Sequence, residues 1–100
     1  VEVGMDPASP GGPLRFTPTS VNASTGSTVN FRFTRFFPGN HSVTQSSFQN
    51  PCIPLEGGLD SGFQPVNNTT SGSPEWSFAV EDEAQPLWFF CRQYNPIYHC

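Results

Sequence analysis

Proline and glycine make up a fifth of this chain, eleven and nine of its 100 residues. An internal proline removes a helix hydrogen bond and clashes with the preceding turn, and an internal glycine adds an entropy cost. A chain punctuated this densely has little room for long helices. Lysine is absent, methionine occurs once, and Ser, Thr and Asn fill much of the remainder. What lies between the punctuation alternates. In Thr28–Thr34 (TVNFRFT), Val29, Phe31 and Phe33 share one face and Thr28, Asn30, Arg32 and Thr34 the other. That period of two predicts a half-buried strand, entered from a turn at Thr25-Gly26. Glu75–Val80 alternates in the same way, with Trp76, Phe78 and Val80 inward. Leu87–Cys91 places Leu87, Phe89 and Cys91 on a common core face. Val1–Met5 and Leu14–Pro18 read as strands, as does His41–Gln45, with His41, Val43 and Gln45 on one side. Asp6–Pro13, Phe36–Asn40, Thr69–Pro74 and Glu81–Pro86 read as turns and linkers. From Ser46 to Asn68 the pattern is irregular, with room for one turn near Leu55–Leu59; Phe48, Ile53, Leu55, Leu59 and Phe63 are the expected apolar anchors of this excursion. Six or seven short strands with regularly spaced turns and no internal repeat predict an all-β fold, a Greek-key β-sandwich or barrel.

The length suits a single domain, residues 1–100, with a modest core. Aromatics are 14% of the chain, ten of them Phe, and a few large rings bury much area per residue. The net charge of −4 comes from four Arg and eight carboxylates with no basic cluster, which argues against nucleic acid as a partner. Four Asn-x-Ser/Thr sequons, at Asn22, Asn40, Asn67 and Asn68, favour a secreted or cell-surface glycoprotein carrying N-linked glycans. Asn67 and Asn68 overlap, and two glycans there would crowd each other. Asn40 adjoins His41, where packing is the expectation rather than glycosylation. No apolar run is long enough to span a membrane. The chain opens within a strand, so it reads as a mature form whose leader has been removed.

Cys52, Cys91 and Cys100 are an odd number for an oxidising compartment, where two would pair and one would be left. Metal ligation, intermolecular pairing and a buried inert thiol each account for the third. Cys91 closes a strand, His99 follows it in a Cys-x₇-His spacing, and His41 begins a strand fifty residues earlier. One thiolate and two imidazoles from distant segments suit a trigonal copper site, because the soft sulfur bonds copper covalently and imidazole suits both oxidation states. Each residue also has a plainer role. A histidine at a strand start is common surface or turn chemistry, and a buried strand cysteine packs as a small hydrophobe.

The segments LRFTPTSVNASTGSTVNFRFT, NHSVTQSSFQNPCIPLEGGLDSGFQPV and SFAVEDEAQPLWFFCRQ…HC together resemble the cupredoxins. The likeness is greatest to small secreted cupredoxin-like proteins of fungi, related in plan to plant phytocyanins, and it runs through nearly all of the chain. The resemblance implies His41, Cys91 and His99 as ligands of one type 1 copper ion, with Trp88 and Phe90 shaping the surroundings. It also implies a disulfide between Cys52 and Cys100, which would close a loop of about 49 residues and contribute about 4 kcal/mol in the chain-entropy model. Two departures stand out. The Cys91–His99 loop is about three residues longer than in relatives, with YNPIY in place of a short turn. The family also continues past the His-Cys pair into a Gly-Met segment and a last strand, so nothing after Cys100 is present to serve as the axial Met; Met5, in the first strand, is expected in the core. The expectation is therefore a longer native protein or a domain lacking its final strand. An open apolar edge near Leu87–Cys91 would then invite self-association or strand addition, and a membrane anchor beyond Cys100 stays open.

Two functions follow from these residues. The first is a secreted type 1 copper domain for one-electron transfer or copper handling, with an unknown redox partner. The second is a metal-free cupredoxin-fold glycoprotein with a structural or self-assembly role at the cell surface. An enzyme is not expected. There is no His-x-His pair of the multicopper oxidases, no N-terminal histidine for a histidine brace, and no Gly-x-Ser-x-Gly elbow.

Overall fold

The computed structural model describes residues 1–5, 14–33, 39–66, 73–94 and 98–100. These residues form eight short strands and no helix: β1 (Glu2–Met5), β2 (Leu14–Thr17), β3 (Thr28–Phe33), β4 (Gly39–His41), β5 (Thr44–Ser46), β6 (Gln64–Val66), β7 (Glu75–Ala79) and β8 (Trp88–Phe90). The turn and linker expectations for Asp6–Pro13 and for most of Thr69–Pro74 lie outside the described residues, as do the sequons Asn67 and Asn68 and the side chain of Met5.

One layer is a four-stranded sheet in the order β2-β1-β3-β7, with β1 parallel to β3 and the other pairs antiparallel. The second layer is built from two antiparallel pairs, β4 with β6 and β5 with β8. The alternation in β3 does what its period requires: Phe31 and Phe33 are buried, Val29 is half-buried, and Thr28, Asn30 and Arg32 are exposed. Its partner β7 sets Phe78 opposite Val29 and Trp76 opposite Phe31, so the inward aromatics form one same-face ladder. The turn that starts β3 depends on Gly26, whose φ of 89° is a conformation other residues rarely adopt. There the Gly26 amide donates to the Val80 carbonyl at 2.8 Å.

Val3, Phe31, Phe33, Val43 and Val66 form the buried core, drawn from both layers. Phe31 lies at its centre, with ring centroids 5.7–6.2 Å from Phe16, Trp76, Phe78 and Phe89. Phe89 comes from β8, so the aromatic cluster ties the strand that leads to Cys91 onto the opposite sheet.

Several local expectations change. Gly39 and Asn40 belong to strand β4 rather than to a turn. The segment His41–Gln45 is two strands, because the chain exchanges partners at Ser42–Val43; His41, Ser42, Val43 and Thr44 are all buried as a result. The irregular excursion contains a strand, β6, with Pro65 facing solvent. It also contains the foreseen turn, where the Gly58 amide donates to the Leu55 carbonyl at 2.9 Å. The apolar residues of this excursion are not anchors: Phe48, Ile53, Leu55, Leu59 and Phe63 are all exposed. Leu87 precedes β8 and is exposed too, while Phe90 and Cys91 are buried. The excursion is held instead by backbone and polar bonds. Gln45 exchanges hydrogen bonds with Leu59 and Leu55, and the Val43 carbonyl accepts from the Ser61 amide.

Truncating Phe31 removes a ring from the centre of this cluster. Phe31→Ala is expected to lower unfolding free energy by about 3–5 kcal/mol, read as a fall in urea midpoint at unchanged slope; Phe48→Ala, on the exposed excursion, should shift it far less.

Candidate metal centre

Three segments converge on one point. β4 ends at His41, β8 runs directly into Cys91, and the loop after Cys91 returns at His99. The Nδ1 atoms of His41 and His99 lie 3.2 Å apart, and Cys91 Sγ is 3.9 Å from the first and 3.8 Å from the second. The centre of the circle through these three atoms is about 2.1 Å from each, and zinc sites show metal–imidazole bonds of about 2.0–2.1 Å and metal–thiolate bonds of about 2.3 Å. The donor triangle therefore has the dimensions of a three-ligand metal site. His41 and Cys91 are buried and His99 is half-buried. Among the described residues no fourth His, Cys, Asp or Glu joins the group.

The exchange of strand partners between β4 and β5 serves this geometry. Neither Ser42 nor Val43 lies in a sheet ladder, so their amides are available for other acceptors. The Ser42 amide donates to Cys91 Sγ at 3.3 Å, and the Val43 amide donates to Ser61 Oγ at 2.8 Å. Burial, and secondarily the charge of neighbouring His99, hold the His41 pKa below the ordinary imidazole value. His41 is thus neutral near pH 7 and has a nitrogen lone pair to offer. The two facing Nδ1 atoms are within hydrogen-bond reach, with donor and acceptor set by the tautomers.

A second layer of contacts fixes the donors. The Arg92 amide donates to Ser42 Oγ at 3.0 Å, Ser42 Oγ contacts Thr44 Oγ1 at 2.8 Å, and Thr44 Oγ1 donates to Asp60 Oδ1 at 3.1 Å. A carboxylate only accepts, so the hydroxyls point one way along this chain. Asp60 Oδ2 takes the Arg92 Nε–H at 3.1 Å, and the Arg92 guanidinium lies 4.2 Å over the Phe63 ring. The residue after Cys91 and the residue after His41 are in this way clamped to one carboxylate. On the loop side, the Gln93 carbonyl accepts from the His99 amide at 2.9 Å, and Gln93 Nε2 donates to the Asn40 carbonyl at 3.2 Å. His99 is followed by Cys100, which is disulfide-bonded to Cys52 with a Cα–Cα distance of 5.8 Å.

The sequence pointed to His41, Cys91, His99 and the Cys52–Cys100 pair, and the structure brings each set together. Phe90 lines the cavity beside the triangle, as expected of it. Trp88 does not: it is exposed and packs its ring 5.4 Å from Phe48, away from the donors. Residues 95–97 of the long ligand loop lie outside the described residues. Of the sequons, Asn22 is exposed; Asn40 Oδ1 is buried with no hydrogen-bond partner, and Ser42, the third residue of that sequon, is fully buried. The packed role of Asn40 is the one the geometry favours. Sequence reasoning missed Gly39, Ser42, Asp60, Arg92 and Gln93. For Gly39 a signal existed: it lies two residues before His41, the spacing of same-face neighbours on a strand. A Cβ at Gly39 would come within 2.6 Å of His41 Nε2, so only glycine leaves the imidazole its place.

No family model matches the chain, and no solved structure matches it. Among curated proteins it is 30% identical over 81 residues to an "Extracellular serine-rich protein" of Arthroderma benhamiae. The alignment covers 80% of this chain, and the chain spans 30% of that protein's length.

Two outcomes follow from the centre. Because His41 is held below its unfolded pKa, the unfolded chain binds the proton more readily; the stability tied to neutral His41 is complete above about pH 6.5 and is lost as pH falls through the depressed folded value. The urea midpoint of metal-free protein should therefore drop as pH falls below about 6.5, and a His41→Phe variant should show less of that drop. Replacing Cys52 and Cys100 together by alanine removes the cross-link over their sequence separation of 48. It should cost about 4 kcal/mol of stability, seen in the same urea titration.

Proposed function

We propose that this chain is an extracellular cupredoxin-like domain that holds one copper ion at His41, Cys91 and His99 and uses it for one-electron transfer or copper handling, without a catalytic role of its own. The observation that carries this reading is the triangle of one cysteine sulfur and two imidazole nitrogens, 3.2–3.9 Å on a side, drawn from three separate segments. A soft sulfur with two imidazoles in trigonal array is the donor set that suits copper in both of its common oxidation states. Bound there, copper would supply a one-electron redox couple. The chain's own residues do the rest. The Ser42 amide donates to Cys91 Sγ, burial keeps His41 neutral, and the Asp60–Arg92 clamp and the Cys52–Cys100 bridge would keep the donors from rearranging when charge changes. A fixed donor set lowers the reorganisation that an electron-transfer site must undergo.

An extracellular setting is supported by the fungal relative, whose name describes it as extracellular and serine-rich, and by the disulfide, which persists in oxidising compartments. N-linked glycosylation is proposed at exposed Asn22. The competing reading is a metal-free glycoprotein of the same fold with a structural or self-assembly role. It draws on the exposed Phe48–Trp88 pair and on β8, which pairs only with β5 among the described residues.

Addition of Cu(II) to the purified protein should produce an intense visible thiolate-to-copper absorption band, abolished by Cys91→Ser. Gly39→Ala, which presses on the His41 ring, should weaken copper binding by about 10-fold or more, as disturbed supporting shells do. Elemental analysis of protein secreted by its native host should find close to one copper per chain. A colourless product without bound copper would sink the copper reading in favour of the metal-free one.

A further inference from the structure

His41 and His99 stand 58 positions apart in the chain, yet their Nδ1 atoms lie 3.2 Å from each other. One residue bonds to the main chain beside both. The Gln93 carbonyl accepts from the His99 amide at 2.9 Å, and Gln93 Nε2 donates to the carbonyl of Asn40, immediately before His41, at 3.2 Å. Cys91 is two residues upstream of Gln93. We propose that Gln93 is a positioning residue that sets the gap between the two imidazoles, and through that gap the affinity and spectrum of the copper centre. The proposal rests on the copper reading above.

The need for this side chain arises in the sheet. In the β4–β6 register Asn40 stands opposite Pro65, and proline has no amide hydrogen to give. Asn40 is half-buried, so its carbonyl needs a donor from elsewhere, and Gln93 Nε2 supplies it. The other end of the same carboxamide is engaged too: Gln93 Oε1 accepts from the Tyr94 amide at 3.2 Å. A carboxamide donates through nitrogen and accepts through oxygen, whereas a carboxylate only accepts. Gln93→Glu therefore keeps the shape and the bond to Tyr94 but sets an acceptor against an acceptor at Asn40. Gln93→Met keeps a similar length and offers neither bond. A residue that merely fills space would tolerate both changes; one that spaces His41 from His99 would not.

The test is Cu(II) titration of the full-length secreted protein against a competing chelator, with the thiolate absorption band and copper electron paramagnetic resonance recorded at saturation. Both variants should raise the apparent Kd for Cu(II) at least about 10-fold, the lower end of what partners behind metal ligands contribute, and should shift the band. The added negative charge of Gln93→Glu would by itself favour a cation, so weaker binding there reports geometry rather than charge. The urea midpoint of the metal-free variants separates positioning from stability: it should change little, and Gln93→Met serves if the carboxylate impairs folding. A normal wild-type thiolate band, with affinity and spectrum unchanged in both variants, overturns this inference and leaves the copper reading intact. So does a loss of affinity that only matches a loss of stability, with the spectrum of bound copper unmoved. Absence of the band in the wild type overturns the copper reading and this inference with it.

Discussion

Between His41 and Thr44 the backbone leaves one strand neighbour and joins another, and the rest of the centre depends on the two amides that this exchange releases. Ser42 N–H reaches Cys91 Sγ and Val43 N–H reaches Ser61 Oγ. In an unbroken strand pair, alternate amides along this stretch would be bonded to the neighbouring strand. The exchange has a geometric result as well. β4 pairs with β6 and β5 with β8, so the short second layer is stitched at one point, and that point is where His41 at the end of β4 meets Cys91 after β8.

The three donors are restrained by different means. His41 and Cys91 are held by packing and by a polar relay that ends on Asp60, whereas His99 is held through its neighbour Cys100 by a covalent bridge and through its own amide by Gln93. The arrangement carries a cost. Two imidazole nitrogens and a sulfur are crowded into a mostly buried spot, where burial already disfavours a charged His41. Natural sequences tolerate such local conflict at functional sites and offset it elsewhere. Here the offset comes from the aromatic cluster around Phe31, which joins both layers.

Much of the first layer could be read directly from residue order. Val29, Phe31 and Phe33 on β3 and Trp76 and Phe78 on β7 alternate because one face of a sheet must be apolar, and that rule acts locally. The second layer was harder to read, because its strands are three residues long and their limits are set by partners distant in sequence. Gln64–Val66 carries a proline and too few residues to show a period; the break at Ser42–Val43 is made by a change of partner that no local pattern records. Phe48, Ile53, Leu55, Leu59 and Phe63 were misjudged for a related reason. Apolar character favours burial, yet the excursion is pinned by bonds from Gln45 and Ser61, and its rings are left outside. His41, Cys91 and His99 were legible as a candidate set through resemblance and residue chemistry, and they do lie together. Their supports were not, since Asp60 and Arg92 meet only across 32 residues of chain.

The adjacency of His99 and Cys100 has a mechanical side. Tension applied at the carboxyl end of residue 100 enters the molecule through the sulfur bridge and passes into the loop at Cys52, a load path that bypasses the imidazole one residue earlier. Thermal agitation of anything joined to that end is likewise discharged into an exposed loop stiffened by Pro51 and Pro54. The Nδ1–Sγ triangle is thereby shielded from movement entering at residue 100, much as a clamp placed beside a sensor takes up the pull on its cable.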